Sequence, residues 1–270
     1  MTSYRYPNER IILALTVILV FVVIAVTAVA TVCGSVLFVL VMLVISYLLN
    51  RSHHDELIAI AHPVTPQAAP ELSALVNTCA RRLQSGSFRT FVAPGNTLNA
   101  YTFGLVEPQV VVVYAGVLRI MDEDELRFII GHELGHICLG HTWLNSLVGG
   151  MAGIPSPYLA AALLYFSFRW WNRACEYSAD RAGLLVCGKP EKAVSALIKL
   201  TGGPAAAYSA QGWQEALRRI EAEDDHFEND LGELLSTHPM IVHRLKALRQ
   251  YAASPEYQRL QTLVNQANPS

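Results

Sequence analysis

The sequence predicts an α+β fold, mainly α-helical, in which an N-terminal hairpin of two transmembrane helices precedes a domain with a small β-sheet. Three observations predict it: a long uncharged apolar run, a group of short β-patterned segments, and helical periodicity through most of the remainder. Hydrophobic residues make up 52% of the chain and charged residues only 16%. Because soluble domains are charged at about 25% of positions, part of this chain is expected in lipid.

The apolar run extends from Ile11 to Leu49 without a charged residue. It is about twice as long as the roughly 20 residues that cross the hydrocarbon core of a bilayer, which favours two spans over one. The small and polar stretch 31–35 marks the turn, so we expect spans near 11–30 and 34–50 within a membrane anchor at 1–52. A cleaved signal peptide is the alternative, but its apolar region would be only about 7 to 15 residues long.

Arginines flank both ends of this hairpin. Arg5 and Arg10 precede the first span and Arg51 follows the second, while the turn between the spans is uncharged. Since positive charge is retained on the cytoplasmic side, we expect the domain at 53–270 to be cytoplasmic, in an inner or plasma membrane. Glu9 and Asp55 partly offset this bias.

The charge and cysteine content exclude other classes of protein. A formal net charge of −2, without a long run of Lys and Arg, argues against nucleic acid as a partner. The five cysteines are an odd number without a CxxC pair, which predicts buried thiols in a reducing compartment. No feature of the sequence predicts an oligomeric state, which is left as unknown.

The domain after the anchor combines a few strands with several helices. A helix is predicted from Thr65-Pro66 to near Gly86, because proline is favoured at the first helical position. Alternating apolar residues and turn signals then predict three strands at 88–92, 98–103 and 109–114. Helical periodicity follows from Asp122 onward and at 190–200, 212–223 and 239–252.

The motif HExxH occurs at 132–136, where it reads His-Glu-Leu-Gly-His. Asp122 with Glu125 three residues later resembles a capping box, so the motif is expected on a helix. A helix places His132 and His136 on one face, one turn apart, where both imidazoles can bind one metal ion. Glu133 lies between them as a candidate base that activates water.

A catalytic zinc ion needs a third protein ligand. The metzincin pattern would require glycine and histidine at positions that are Leu139 and Thr142 here, so that pattern does not apply. His141 lies roughly 140° around the helix from His136, and we interpret it as structural.

Glu176 is the better candidate for the third ligand. Asp180 follows it by four residues, so one carboxylate can bind the metal while the other orients a ligating histidine. An ordinary solvated helix face is the alternative interpretation of this pair.

These residues together resemble the membrane gluzincins, the family that includes the heat-shock protease HtpX and the CAAX prenyl endopeptidases. The resemblance covers most of the chain and implies a zincin-like metallopeptidase domain that binds one Zn²⁺ per chain through His132, His136 and Glu176. Its motifs occur in order at 99–101, 111–118, 124–136, 176–180 and 236–239, followed by Arg244.

The resemblance implies further roles. His238 would stabilise the oxyanion beside the catalytic Glu133, and Asn99, Ala100 and Tyr101 would lie beside the substrate backbone. Without the resemblance, His238 would be interpreted as a helix-cap or surface histidine. Arg244 is expected to brace the site through a carboxylate.

One departure from HtpX-like enzymes concerns the chain between His136 and Glu176, which is too short for the two further spans expected there. Residues 142–171 are largely apolar, but Pro155 and Pro157 interrupt them. We expect a hydrophobic hairpin that dips partly into the bilayer and keeps the active site near the membrane surface. A fully buried, soluble hairpin is the alternative.

The expected function is therefore zinc-dependent endopeptidase activity on protein or peptide substrates, with membrane lipid as surroundings. The anchor and the resemblance point to misfolded or damaged membrane proteins. A non-catalytic membrane scaffold that binds clients is the alternative, although an intact Glu133 argues against it. A zinc hydrolase for a non-peptide substrate would share the metal site but not the substrate strand.

Overall fold

The computed structural model describes residues 4–30, 34–148, 159–207 and 241–267. Over these residues the chain is mainly α-helical with one small mixed sheet, as predicted. The helices are α1 (Glu9–Ala30), α2 (Gly34–Ile60), α3 (Pro70–Leu83), α4 (Ala115–Ile120), α5 (Glu123–Leu139), α6 (His141–Val148), α7 (Leu159–Cys187), α8 (Pro190–Ala207), α9 (Ile241–Ala252) and α10 (Pro255–Ala267). The strands are β1 (His62–Pro63), β2 (Phe88–Ala93), β3 (Ala100–Phe103) and β4 (Gln109–Tyr114).

The first two helices pack against each other. Among the described residues, one stretch is long and apolar enough to cross a bilayer: Glu9–Val26 of α1, of which only 22% is buried. The exposed apolar side chains of Phe21 and Leu37 are typical of a surface in contact with lipid. The second span of the predicted hairpin stays a prediction.

Helix α2 does not end near residue 50, where its predicted span ends. It continues to Ile60, because residues 51–60 contain neither proline nor glycine to interrupt the helix. This extension packs on the sheet, where Leu57 joins a cluster with Phe91 and Val112. Helix α2 therefore continues without a break from its apolar part to the sheet.

The sheet has the strand order β1-β2-β4-β3. Strand β4 pairs with β2 in parallel and with β3 antiparallel, so β3 lies at an edge. The three predicted strands are present, whereas β1 contains two residues and is too short to show a pattern. Val111 and Val113 of β4 face the main core, while Val110 and Val112 face α2.

The helix predicted from Thr65-Pro66 begins later than expected. Pro70 takes an N-terminal position of α3, and Thr65 accepts a hydrogen bond from the backbone N–H of Ala68 in a turn before the helix. A proline does occupy an N-terminal position of the helix, as expected, but it is Pro70 and not Pro66. Gln84, with φ of 53°, ends the helix.

Helices α5 and α7 form the centre of the domain. A Cβ at Gly135 would lie 2.6 Å from Cβ of Ala182, and one at Gly131 would lie 2.7 Å from Cβ of Val186. Glycines four residues apart thus let the two helices approach closely. This packing brings Glu176 on α7 to the face of α5 that carries the HExxH motif.

The predicted hydrophobic hairpin near 142–171 is described only at its two ends, α6 and the first part of α7. Its tip, including Pro155 and Pro157, lies outside the described residues, as does the helix predicted at 212–223. Whether the hairpin enters the bilayer therefore stays a prediction.

Candidate metal centre

Helix α5 presents His132, Glu133 and His136, all of them buried. The capping box that starts this helix is present: the N–H of Glu125 lies 3.0 Å from Oδ1 of Asp122, and the N–H of Asp122 lies 2.9 Å from Oε2 of Glu125. Local hydrogen bonds therefore set where the helix begins, as predicted from the sequence.

Three side chains converge on one point. The Nε2 atoms of His132 and His136 lie 3.3 Å apart, and each lies 3.6 Å from a carboxylate oxygen of Glu176 on α7. The ligand atoms of these residues all lie within 4.8 Å of one another. Two imidazole nitrogens and one carboxylate oxygen are a donor set typical of catalytic zinc, so the residues present fit this metal.

His132 has an outer partner on α7. Its Nδ1 lies 3.0 Å from Oδ1 of Asp180, whose carboxylate also accepts two hydrogen bonds from Arg244. Burial opposes the charge on Asp180, but Arg244 and then His132 lower the pKa of this carboxyl below its ordinary value. Burial likewise opposes a charge on His132, but Asp180 raises the pKa of this imidazole.

His136 has a different outer partner, His141. The two Nδ1 atoms lie 3.0 Å apart, and Nε2 of His141 lies 3.1 Å from Oε1 of Glu9. Burial, followed by the neighbouring imidazoles of His132 and His141, lowers the pKa of His136 well below its ordinary value. His136 is therefore neutral near pH 7, the form that binds a metal.

The angle of roughly 140° between His136 and His141, which led to the structural interpretation of His141, applies only within one continuous helix. Gly140, with φ of 76°, ends α5, and α6 begins at His141. The change of direction places the His141 ring beside His136. The glycine itself was the available signal, since glycine commonly follows the last residue of a helix.

Glu133 lies on α5 between the two histidines. Burial, as the largest cause, raises the pKa of its carboxyl to about 7, and the charge of Glu176 adds to this, while His132 opposes it. A carboxyl with a pKa near neutrality can both accept and return a proton at physiological pH.

The other predicted site residues come from further elements of the fold or lie outside the described residues. Arg244 on α9 lies 3.1 Å from Oε2 of Glu176, so it contacts this carboxylate as well as Asp180. Asn99 directly precedes edge strand β3, which contains Ala100 and Tyr101 and packs beside α5. His238 lies outside the described residues.

The sequence profile of peptidase family M48 matches residues 66–167 and 156–252, which include every residue of the metal cluster. The chain belongs to peptidase family M48. Membership in M48 indicates a metallopeptidase, and a peptidase acts on proteins or peptides.

Relatives of this M48 chain have similar lengths or longer ones. The protease HtpX homolog of Moorella thermoacetica is 28% identical over 267 residues, covering 84% of this chain and 86% of the relative. The protease HtpX homolog of Thermococcus kodakarensis is 28% identical over 229 residues, covering 71% and 77%. The plastoglobule-localized metallopeptidase 48 of Arabidopsis thaliana is 26% identical over 215 residues, covering 75% and 62%. The predicted resemblance to HtpX is confirmed.

The fold of this M48 chain is similar to that of Ste24p from S. mikatae. The two share a TM-score of 0.51 and 17% sequence identity, over 87% of this chain and 62% of Ste24p. This likeness shows the fold alone.

Proposed function

We propose that this M48 protein is a membrane-anchored zinc endopeptidase in which His132, His136 and Glu176 hold the metal and Glu133 is the general base. The observation that carries the proposal is the convergence of two Nε2 atoms and one carboxylate within 3.6 Å, with Glu133 buried on the same helix. This donor set leaves room for water as a fourth ligand.

The chemistry that bound zinc supplies is Lewis acidity toward water and toward the scissile carbonyl. The carboxylate of Glu133 takes the proton of the attacking water at a carboxylate oxygen. It then delivers this proton to the nitrogen of the leaving amine. Its near-neutral pKa supports both steps. On the family resemblance, His238 donates a hydrogen bond to the oxyanion that forms at the carbonyl oxygen when water attacks the carbonyl carbon.

The substrate is proposed to bind as an extended peptide along β3. Strands β3 and β4 are antiparallel, and the N–H of Tyr114 donates to the carbonyl of Asn99. Because hydrogen-bonded pairs recur at every second residue, this supports backbone hydrogen bonds from Tyr101 and Phe103 to β4. The backbone groups of Ala100 and Thr102 then point to the free edge, where a peptide can add as a further strand. Recognition through the backbone gives broad sequence specificity.

The location of the site supports substrates in or near the membrane. Glu9, the first residue of α1, lies 3.1 Å from His141, and Ile12 packs near Leu144 and Trp171. The side chains of His141 and Glu9 thus connect His136 of the metal cluster to the start of the apolar helix α1. We propose misfolded or damaged membrane proteins as substrates and, from the flanking arginines, a cytoplasmic catalytic domain.

The test compares metal content and casein cleavage of the detergent-purified protein with those of Glu133→Gln. We expect both to bind one zinc ion, with cleavage by Glu133→Gln lower by about 10²–10⁴-fold because the base is lost. Glu123→Gln, the same substitution at an exposed position of the same helix, is the matched control and should retain activity. Zinc binding without cleavage by the unmutated protein would favour a scaffold, and absence of zinc binding would refute the proposal.

A further inference from the structure

The second ring nitrogen of His136 points away from the metal cluster and toward His141. The two Nδ1 atoms are 3.0 Å apart, so one must donate and the other accept. If His136 binds a metal through Nε2, the hydrogen of its neutral ring is on Nδ1 and is donated to His141. The hydrogen of His141 is then on Nε2, which lies 3.1 Å from Oε1 of Glu9. One pair of tautomers therefore satisfies every nitrogen in the chain of contacts.

Glu9 ends this chain of contacts, and its side chain is held from several directions. It is only 1% exposed although it is the first residue of α1. Arg5 donates to Oε1, and the hydroxyl of Ser178 on α7 donates to Oε2. A carboxylate bound in this way has a fixed orientation toward His141.

Residues 4–8, directly before α1, make further contacts with the rest of the domain. Tyr4 is buried in the main core, and Nη2 of Arg5 lies 3.0 Å from the carbonyl of Leu139 at the end of α5. The N–H of Tyr6 donates to Ser178 over 2.9 Å, and the guanidinium of Arg181 lies 5.2 Å from the Tyr6 ring centre. The segment is part of the domain that carries the metal site.

We infer that Glu9 and His141 are positioning residues for His136, so the start of the membrane helix forms part of the support of the metal centre. The inference rests on the proposed zinc site. Histidine ligands of zinc generally donate their second N–H to a carboxylate, a carbonyl or water. Here the carboxylate acts through a second histidine, in contrast to the direct Asp180 contact of His132.

A second metal ion is the competing interpretation, because Glu9, His141 and Cys175 offer ligand atoms within 4.8 Å of one another. The contacts argue against it. Arg5 already pairs with Glu9, and Nδ1 of His141 faces His136. Ser178 donates to the other oxygen of Glu9, so both carboxylate oxygens already have hydrogen-bond donors.

The test measures zinc affinity, by competition with a chromophoric chelator, and the visible spectrum of the cobalt-loaded full chain. We expect Glu9→Gln and His141→Phe to raise the zinc Kd by about 10–100-fold and to shift the cobalt bands. His141→Gln, whose amide oxygen can still accept from His136, should fall between them and the unmutated protein. Arg10→Gln, at an exposed position in the same turn as Glu9, should change neither.

Thermal unfolding of the metal-free variants shows whether each of them is still folded. His141→Gln keeps a polar group at this site, so its zinc affinity reports loss of positioning and not loss of the fold. Unchanged zinc affinity and cobalt spectra in all three variants would overturn the inference while leaving the proposed function intact. Two zinc ions in the unmutated chain, reduced to one in Glu9→Gln, would overturn it in favour of the second metal site. An unmutated chain that binds no zinc would overturn the proposed function and this inference together.

Discussion

Arg244 and Asp180 form a buried ion pair in which Nε of the arginine lies 2.8 Å from Oδ2 and Nη2 lies 2.6 Å from Oδ1. The same carboxylate lies 3.0 Å from Nδ1 of His132, and the same guanidinium lies 3.1 Å from Glu176. Arg244 therefore contacts both Asp180, the outer partner of the proposed ligand His132, and Glu176, which is itself a proposed ligand.

Asp180→Asn is expected to weaken zinc binding by about 10–100-fold, because a neutral amide is a poorer partner for the N–H of His132. The zinc Kd, measured by chelator competition, tests this expectation. Lys246→Gln, at an exposed position of the helix that carries Arg244, is the control and should leave the Kd unchanged. Equal affinities for Asp180→Asn and the unmutated protein would show that Asp180 has no orienting role.

Gly135→Ala is expected to destabilise the fold by about 1–3 kcal/mol, because the added methyl would lie 2.6 Å from Cβ of Ala182. The two helices must then separate, and Glu176 moves away from the histidines, so zinc affinity should fall as well. Denaturant unfolding in detergent measures the first effect, and chelator competition measures the second. Glu123→Ala removes only an exposed ion pair on the same helix and should shift the unfolding free energy by less than about 1 kcal/mol.

Ala100→Pro is expected to lower kcat/KM for casein by roughly three- to tenfold while the protein stays folded. Proline removes one outward N–H, and a single hydrogen bond to substrate contributes about 0.5–1.5 kcal/mol. Tyr101→Pro would instead remove a bond within the sheet, so it is the less informative change. Ala100→Ser keeps the N–H and should behave like the unmutated protein. Full activity of a folded Ala100→Pro variant would favour a substrate that does not bind as a strand.

His54 connects the extension of α2 to the sheet and should make this contact sensitive to pH. Its ring stacks on Phe103 with 3.7 Å between centroids. Burial, and then the neighbouring His53, lowers the pKa of His54 from 6.5 to about 4, while Asp55 opposes the shift. Below about pH 6.5 the unfolded chain therefore takes up a proton that the folded chain refuses, and stability is lost as pH falls toward about 4.

His54→Phe keeps the stacking but cannot be protonated, so its melting temperature should fall less than that of the unmutated protein between about pH 7 and about pH 5. Thermal melts of both proteins in detergent give this difference. His53→Phe, at an exposed neighbouring position, should preserve most of the pH dependence of the unmutated protein. Parallel losses of stability in His54→Phe and the unmutated protein would contradict the expectation.

The metal-binding face of α5 could be predicted from residue spacing because it depends on one helix. The capping box sets the start of the helix, and 3.6 residues per turn bring His132 and His136 to the same side. Glu176 and Asp180 share the face of another helix for the same reason. The strands 88–92, 98–103 and 109–114 were likewise recognisable, because alternation and turn residues are local signals.

Contacts between distant segments were decided only by the tertiary structure. Glu9 reaches His141 because the segment 4–9 docks on α5 and α7, and no spacing rule relates residues so far apart in the chain. The end of α5 at Gly140 turned His141 toward His136, which a continuous helix would have prevented. The sequence by itself thus determined the elements and the ligand types, since these follow from local geometry. Packing at the glycines of α5 decided which elements meet, because close approach depends on both partners at once.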